Sequence, residues 1–142
     1  MGERSLARFL DELCSEFEER VLRPLAILTD YHAPQSRDHP YWVWRRKATG
    51  RYARRMFRVL RGDASSDMTS DERLYSLIQD CLNVFERESL RPLGVLGDDF
   101  DLSHPYWEAR HRFITAALER LHRLESGDPA ERKVPRPVDQ EA

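Results

Sequence analysis

A nine-residue segment occurs twice in the chain, and this repeat constrains the fold more than any other sequence feature. Residues 22–30 read Leu-Arg-Pro-Leu-Ala-Ile-Leu-Thr-Asp, and residues 90–98 read Leu-Arg-Pro-Leu-Gly-Val-Leu-Gly-Asp. Each copy is followed by the tetrapeptide His-Pro-Tyr-Trp, first at His39 and again at His104. Because a repeated unit normally buries its apolar face against its neighbouring copy, the repeat predicts two similar halves.

Apolar residues follow helical spacing before each repeated segment. Over residues 6–22 they recur every three or four positions, as on one face of an amphipathic helix. The members of this set within residues 6–17, shifted by 68 positions, fall on apolar residues within 74–85. Pro24 should end the first helix near Arg23, because proline lacks a backbone donor and restricts the residue before it.

A proline also marks the start of the second helix in each copy. Pro40 and Pro105 each follow a histidine that can cap the helix, and proline is favoured at the first helical position. In the first copy, the apolar pattern predicts a continuous helix to Arg61 through Gly50, with Gly62 as its C-terminal cap. The second copy opens on a capping-box pattern, a threonine followed three residues later by a glutamate.

The sequence therefore predicts an all-α fold. We expect two tandem helical hairpins, produced by internal duplication and packed as a pseudo-two-fold four-helix bundle. Residues 1–126 would form one domain, with repeats at about 5–62 and 69–127. Residues 128–142 hold three prolines and mixed charge with almost no apolar side chains, which is typical of a disordered tail.

Composition indicates a soluble protein without a membrane span. In 142 residues with 34% charged side chains, no apolar run approaches the length that crosses a bilayer, and no signal core follows the N-terminus. A cytoplasmic location is the expectation. Cys14 and Cys81 lie within apolar helical patterns, which is typical of buried free thiols. Arginine far outnumbers lysine, a bacterial-like composition that we attribute to codon usage rather than to function.

The clearest difference between the two copies is the charge of the second helix. Residues 41–62 contain eight basic side chains and no acidic one, although the whole chain has a formal net charge of −2. Most of them recur at helical spacing opposite the apolar face, which predicts one basic ridge. The ridge consists of Lys47, Arg51, Arg54, Arg55, Arg58 and Arg61. On the fourth helix these positions are not uniformly basic, so the ridge occurs once.

An exposed basic ridge favours binding to an acidic partner. We expect a non-enzymatic interaction or regulatory module that binds an acidic protein surface through this helix. Sequence-tolerant binding of nucleic acid is the alternative, and arginines that are solvated or paired within the chain are the structural explanation. A homodimer is also compatible with hairpins of this kind.

The repeated corner motifs are better explained by helix boundaries than by chemistry. They comprise Arg23, Pro24, His39, Pro40, Arg91, Pro92, His104 and Pro105. The histidines would cap helices, and each arginine would face the negative end of a helix; a small-ligand or metal site at the histidines and an anion site at the arginines are the alternatives. No Gly-x-Ser-x-Gly turn, glycine-rich phosphate loop or zinc-ligand spacing is present, so we predict no catalytic residues, metal or cofactor.

Overall fold

A computed structural model describes residues 2–32, 36–62 and 69–126, except for the side chain of Asp98. These residues form four α-helices and, within those ranges, no β-strand: α1 is Glu3–Phe17, α2 is Tyr41–Leu60, α3 is Ser70–Phe85 and α4 is Pro105–Ser126. The predicted all-α class is confirmed. The disordered tail predicted at 128–142 lies outside the described residues.

α1 and α3 each end in a π-helical turn, which the spacing of apolar residues does not predict. A π-helical turn at Glu18–Leu22 follows α1, and another at Glu86–Leu90 follows α3. In the first of these turns the Arg23 amide donates to the Glu18 carbonyl, 2.9 Å away and five residues back. The helical run therefore reaches the predicted end near Arg23, but its last turn is wider than an α-helical turn.

The two proline corners turn through one residue with a left-handed backbone. Ala26 has a φ of 59°, and Gly94, which follows the 3₁₀ turn at Arg91–Leu93, has a φ of 93°. These residues occupy the same position in the repeated segment. Glycine adopts this conformation without steric cost, whereas alanine does not. Beyond the corners, Ile27, Leu28 and Val95 return to the core.

The helix boundaries at α2 and α3 follow the predicted local chemistry. α2 is continuous through Gly50, and Gly62 has a φ of 77° beyond its C-terminus. At the start of α3, the Thr69 hydroxyl accepts from the Glu72 amide over 3.1 Å, while the Glu72 carboxylate accepts from the Thr69 amide over 2.8 Å. The predicted capping box is therefore confirmed.

The four helices enclose one apolar core. α2 packs against both α1 and α3, and α4 packs against α3, α1 and the π-helical turn after α1. Phe17 meets Tyr106 edge to face with ring centroids 6.3 Å apart, and Phe85 meets Tyr41 in the same way at 6.2 Å. Phe17, at the end of α1, thus packs on Tyr106 at the start of α4, and Phe85, at the end of α3, packs on Tyr41 at the start of α2.

The two cysteines are free and buried in this core. Burial raises the pKa of the Cys14 thiol well above 9 and raises the pKa of the Cys81 thiol to about 12. Both thiols therefore stay protonated near neutral pH and pack as small apolar groups. Among the described helices, none combines the length and the apolar character needed to cross a membrane.

Candidate functional site

The predicted basic ridge lies on the surface of α2. All six of its side chains are exposed, whereas the opposite face of α2 contributes Ala48, Tyr52 and Met56 to the core. From Lys47 to Arg61 the ridge extends along the helix for about 21 Å, at 1.5 Å per residue. The helix therefore holds a row of cations at fixed spacing.

Two arginines of the ridge lie near carboxylates of neighbouring helices. Arg51 Nη2 is 4.0 Å from Glu88 Oε1, and Arg54 Nε is 3.6 Å from Glu3 Oε2. All four side chains are at least 44% exposed, so water screens both pairs and each contributes little stability. Weak pairs of this kind can be exchanged for carboxylates of a partner at small cost.

Two other arginines of the ridge are held by aromatic rings. The Arg55 guanidinium lies 4.9 Å from the Tyr52 ring centroid, and the Arg61 guanidinium lies 4.9 Å from the Phe57 ring centroid. Stacking of this kind restricts the side chain while leaving the charge in place. In the described part of the chain, no carboxylate oxygen lies within 4.0 Å of Lys47, Arg55 or Arg58.

The corresponding face of α4 carries a different set of charges. At an offset of 65 residues, Lys47 corresponds to Arg112, Arg54 to Glu119 and Arg61 to Ser126. Arg112 is paired with Glu108 over 2.5 Å. Arg120, which corresponds to Arg55, instead contacts α1, where its Nη1 lies 2.9 Å from Glu16 Oε1.

One arginine of α2 is absent from the surface because it is buried against α1. Arg45 Nε donates to Asp11 Oδ1 over 2.8 Å, and its Nη2 donates to the Asp11 carbonyl over 2.7 Å and to the Ser15 hydroxyl. Arg45 Nη1 donates to the Tyr41 hydroxyl over 3.0 Å, and that hydroxyl donates to Glu18 Oε2 over 2.5 Å. Together Glu18, Tyr41 and Arg45 form a polar cluster in which Tyr41 and Arg45 are buried and Glu18 is partly buried.

A second cluster of the same residue types lies in the other hairpin. The Tyr106 hydroxyl donates to Glu86 Oε2, and Arg110 Nη2 donates to the Asn83 side-chain oxygen. Arg110 Nε is 3.8 Å from Glu86 Oε1, with both side chains no more than 6% exposed. Ser89, in the adjacent π-helical turn, is fully buried, and its hydroxyl has no hydrogen-bond partner among the described residues.

Burial controls the protonation of these clusters. Burial and then the adjacent glutamate raise the pKa of the Tyr41 and Tyr106 phenols above their ordinary value of 10, so both remain hydrogen-bond donors. Burial also raises the pKa of the Glu18 carboxyl above its ordinary 4.5, although the Tyr41 hydrogen bond and the Arg45 charge lower it. The clusters thus fix the helices through charged hydrogen bonds within a low-dielectric core.

The apolar periodicity missed both clusters, because it treats glutamate and arginine as surface residues. The signal that could have found them is identity between the two copies. Glu18 and Glu86 are identical at an offset of 68, and Arg45 and Arg110 are identical at 65. Charged side chains that keep their identity at both positions, beside an identical tyrosine, indicate specific partners rather than solvated faces.

Each repeated histidine is engaged at the start of its own helix. His39 Nδ1 accepts from the Tyr41 amide over 3.0 Å, and His104 Nδ1 accepts from the Tyr106 amide over 3.0 Å. Pro40 and Pro105 lie between these partners, at the start of α2 and α4. Among the residues that the structure describes, no group of three or more histidine, cysteine, aspartate or glutamate side chains is placed to hold a metal ion.

Each repeated arginine instead spans its own corner. Arg23 Nη1 donates to Asp30 Oδ1 over 2.9 Å, and Arg91 Nη2 donates to Asp99 Oδ1 over 2.8 Å. Pro24 and Pro92 follow the arginines within the corners. Each arginine thus bonds a carboxylate across its turn, which is a strong acceptor because it is charged.

Comparisons with known proteins do not extend this description. No protein-family model matches the chain, and neither the curated proteins nor the solved structures contain a significant match.

Proposed function

We propose that the chain is a non-enzymatic helical module that binds an acidic protein surface through the ridge on α2. The observation that carries the proposal is the exposure of all six basic side chains, of which Lys47, Arg55 and Arg58 have no carboxylate within 4.0 Å in the described residues. Arginine recognises carboxylates with two parallel hydrogen bonds, so a row of them suits an acidic protein face.

The charge of the remaining chain favours a protein partner over nucleic acid. Residues 41–62 carry eight positive charges, and the whole chain has a net charge of −2, so the rest of the molecule carries −10. A long polyanion such as a duplex would extend past the ridge and be repelled by these acidic surfaces. An acidic patch of limited size would avoid that repulsion.

Capture of the partner from the native source tests the proposal. We expect the wild-type chain to retain a partner that the Lys47→Glu/Arg58→Glu variant loses, because charge reversal turns attraction into repulsion. The matched control is Arg112→Glu/Arg123→Glu, which changes the corresponding positions of α4 and should retain the partner. Retention by the ridge variant, or equal loss in both variants, would contradict the proposal.

A gel mobility shift distinguishes the nucleic-acid alternative. We expect no shift of DNA or RNA at physiological salt. A shift that the ridge variant abolishes and the α4 control preserves would replace the acidic protein surface with nucleic acid as the partner.

We also propose that the two hairpins are copies related by a pseudo-two-fold axis. The reciprocal Phe17–Tyr106 and Phe85–Tyr41 contacts support this arrangement, as do the matching buried clusters. A circular permutant tests it. If the axis holds, the span from α4 to α1 equals the span from α2 to α3, so a permutant with the copies in reverse order and a linker of the natural length should fold. Failure to unfold cooperatively would contradict the symmetry.

A further inference from the structure

A groove of about 430 Å³ lies between α1 and the beginning of α2. Its charged lining comes from Arg8 on α1, Arg37 before α2 and Arg46 on α2, together with Asp11. Arg46 directly precedes Lys47, so the groove meets the basic ridge at its N-terminal end. We call it the Arg8–Arg37–Arg46 groove.

The positive charge of this groove is not balanced within the described residues. All three arginines are exposed, and none has a carboxylate oxygen of the described chain within 4.0 Å. The single carboxylate of the lining, Asp11, is already engaged, because its Oδ1 accepts from the buried Arg45. An anion that entered the groove would therefore meet three cations without displacing an existing ion pair.

Trp42 holds one of these cations in place. The Arg37 guanidinium lies 5.7 Å from the Trp42 ring centroid, and the Trp42 indole N–H donates to the Ser36 carbonyl over 3.3 Å. The Arg45 guanidinium also lies near the same ring, at 5.3 Å. A guanidinium packed on a ring keeps its in-plane N–H donors available, so Arg37 is partly ordered before an anion binds.

The groove of the other hairpin lacks this charge. At the repeat offsets, Arg8 corresponds to Ser76, Arg37 to Leu102 and Arg46 to His111. His111 Nδ1 is hydrogen-bonded to the Tyr75 hydroxyl over 2.7 Å. A groove of about 420 Å³ that includes Ser76 and Leu118 is lined by the acidic Asp71 and Glu72. Like the ridge, the basic groove is a property of the first hairpin.

We infer that the Arg8–Arg37–Arg46 groove binds carboxylate side chains of an acidic peptide segment in the protein partner. This inference rests on the proposed function and adds to it the site at which a segment of the partner binds. The groove is open and rimmed by exposed arginines, which suits side chains of an extended segment. Its continuity with the ridge lets one segment contact both surfaces.

A peptide of alternating glutamate and glycine, labelled with fluorescein, tests the inference by fluorescence anisotropy on the full chain. We expect Arg8→Gln/Arg46→Gln to weaken peptide binding by about tenfold or more, because two charge-assisted contacts are removed. Arg20→Gln/Arg87→Gln removes the same charge from exposed positions in the two π-helical turns, which do not line the groove, and should weaken binding by less than about threefold. The same peptide with glutamine in place of glutamate should not bind.

NMR chemical shifts determine separately where the peptide binds. We expect the indole N–H resonance of Trp42 to shift on titration while that of Trp107 stays unchanged, since Trp107 occupies the equivalent place in the other hairpin. If only the Lys47→Glu/Arg58→Glu variant loses the peptide, the groove inference fails and the ridge proposal stands. If the peptide binds neither surface, or equally in all variants, both fail. Tighter groove-dependent binding of a single-stranded oligonucleotide would also overturn the inference.

Discussion

Arg45 and Asp11 form an ion pair whose two sides lie in different environments: Nε and Oδ1 are 2.8 Å apart, yet the arginine side chain is 4% exposed and the aspartate side chain is 46% exposed. The interaction joins α2 to α1 from inside the bundle. Removal of the Arg45 charge should cost far more stability than removal of the Asp11 charge, because Arg45 also favours the charged form of Glu18, and because Arg45 keeps its other acceptors when Asp11 is changed.

Arg45→Met should lower the free energy of unfolding by about 3 kcal/mol, since Glu18 then stays in the core without its cation. Asp11→Asn should cost about 1 kcal/mol or less, because the amide oxygen of asparagine can still accept from Arg45 and the other acceptors of Arg45 remain. Urea denaturation of both variants measures the difference. Arg51→Met, on the surface of the same helix, is the control, and equal losses for Arg45→Met and Arg51→Met would contradict the buried role.

Ala26 and Gly94 both have a left-handed backbone, so replacing glycine by alanine at one position and alanine by glycine at the other should affect stability differently. Gly94→Ala should lower stability by about 1 kcal/mol, because a side chain is strained at a φ of 93°. The added Cβ would lie 3.5 Å from His32 Cδ2, an ordinary contact, so the cost comes from the backbone. Ala26→Gly should be neutral or stabilise by less than about 1 kcal/mol, because relief of strain offsets the greater freedom of the unfolded chain. Thermal unfolding of both variants measures the two effects. A loss of stability in Ala26→Gly as large as that in Gly94→Ala would contradict this expectation.

Replacement by alanine should have different effects on stability at Gly97, which is closely packed, and at Gly50, which faces open space. A Cβ at Gly97 would lie 3.1 Å from both Glu86 Oε2 and Tyr106 Cε1, so Gly97→Ala should disturb the buried cluster and cost about 1 to 3 kcal/mol. At Gly50 nothing lies within 4 Å of the added atom, and Gly50→Ala should stabilise α2 by about 0.5 to 1 kcal/mol. Denaturation midpoints measure both effects; a stabilised Gly97 variant would count against the packing described.

The raised pKa of Glu18 predicts a pH-dependent benefit of neutralising it. Burial raises this pKa above 4.5 in the folded state, so between the unfolded and folded values the folded chain binds more protons. The contribution of Glu18 to stability is therefore lost as pH rises through that window. The Glu18→Gln variant, which keeps an acceptor for Tyr41, should gain stability relative to wild type between pH 4 and pH 7. Urea titrations at both pH values provide the measurement.

An exposed glutamate provides the control for net charge. Glu12→Gln removes the same charge from a surface position of α1 and should not reproduce the gain. If both variants gain equally, long-range charge rather than burial of Glu18 is responsible.

The sequence by itself determined the elements and their exposed faces. Apolar spacing located four helices, the Thr69–Glu72 capping box marked the start of α3, and Gly62 marked the end of α2. It also placed the basic ridge on the outside of α2. These features depend on neighbours within one helical turn, so local chemistry is enough to predict them.

Only the tertiary structure decided which charged side chains are inside. Arg45 and Arg58 lie on the same helix and look alike in sequence, yet Arg45 is buried and Arg58 is exposed. The difference arises because Asp11 and Ser15, on α1, supply acceptors that offset the loss of water around Arg45. The Arg8–Arg37–Arg46 groove likewise forms only where α1, the segment before α2 and α2 itself come together. The spacing of these residues in the sequence does not indicate that the three segments are close.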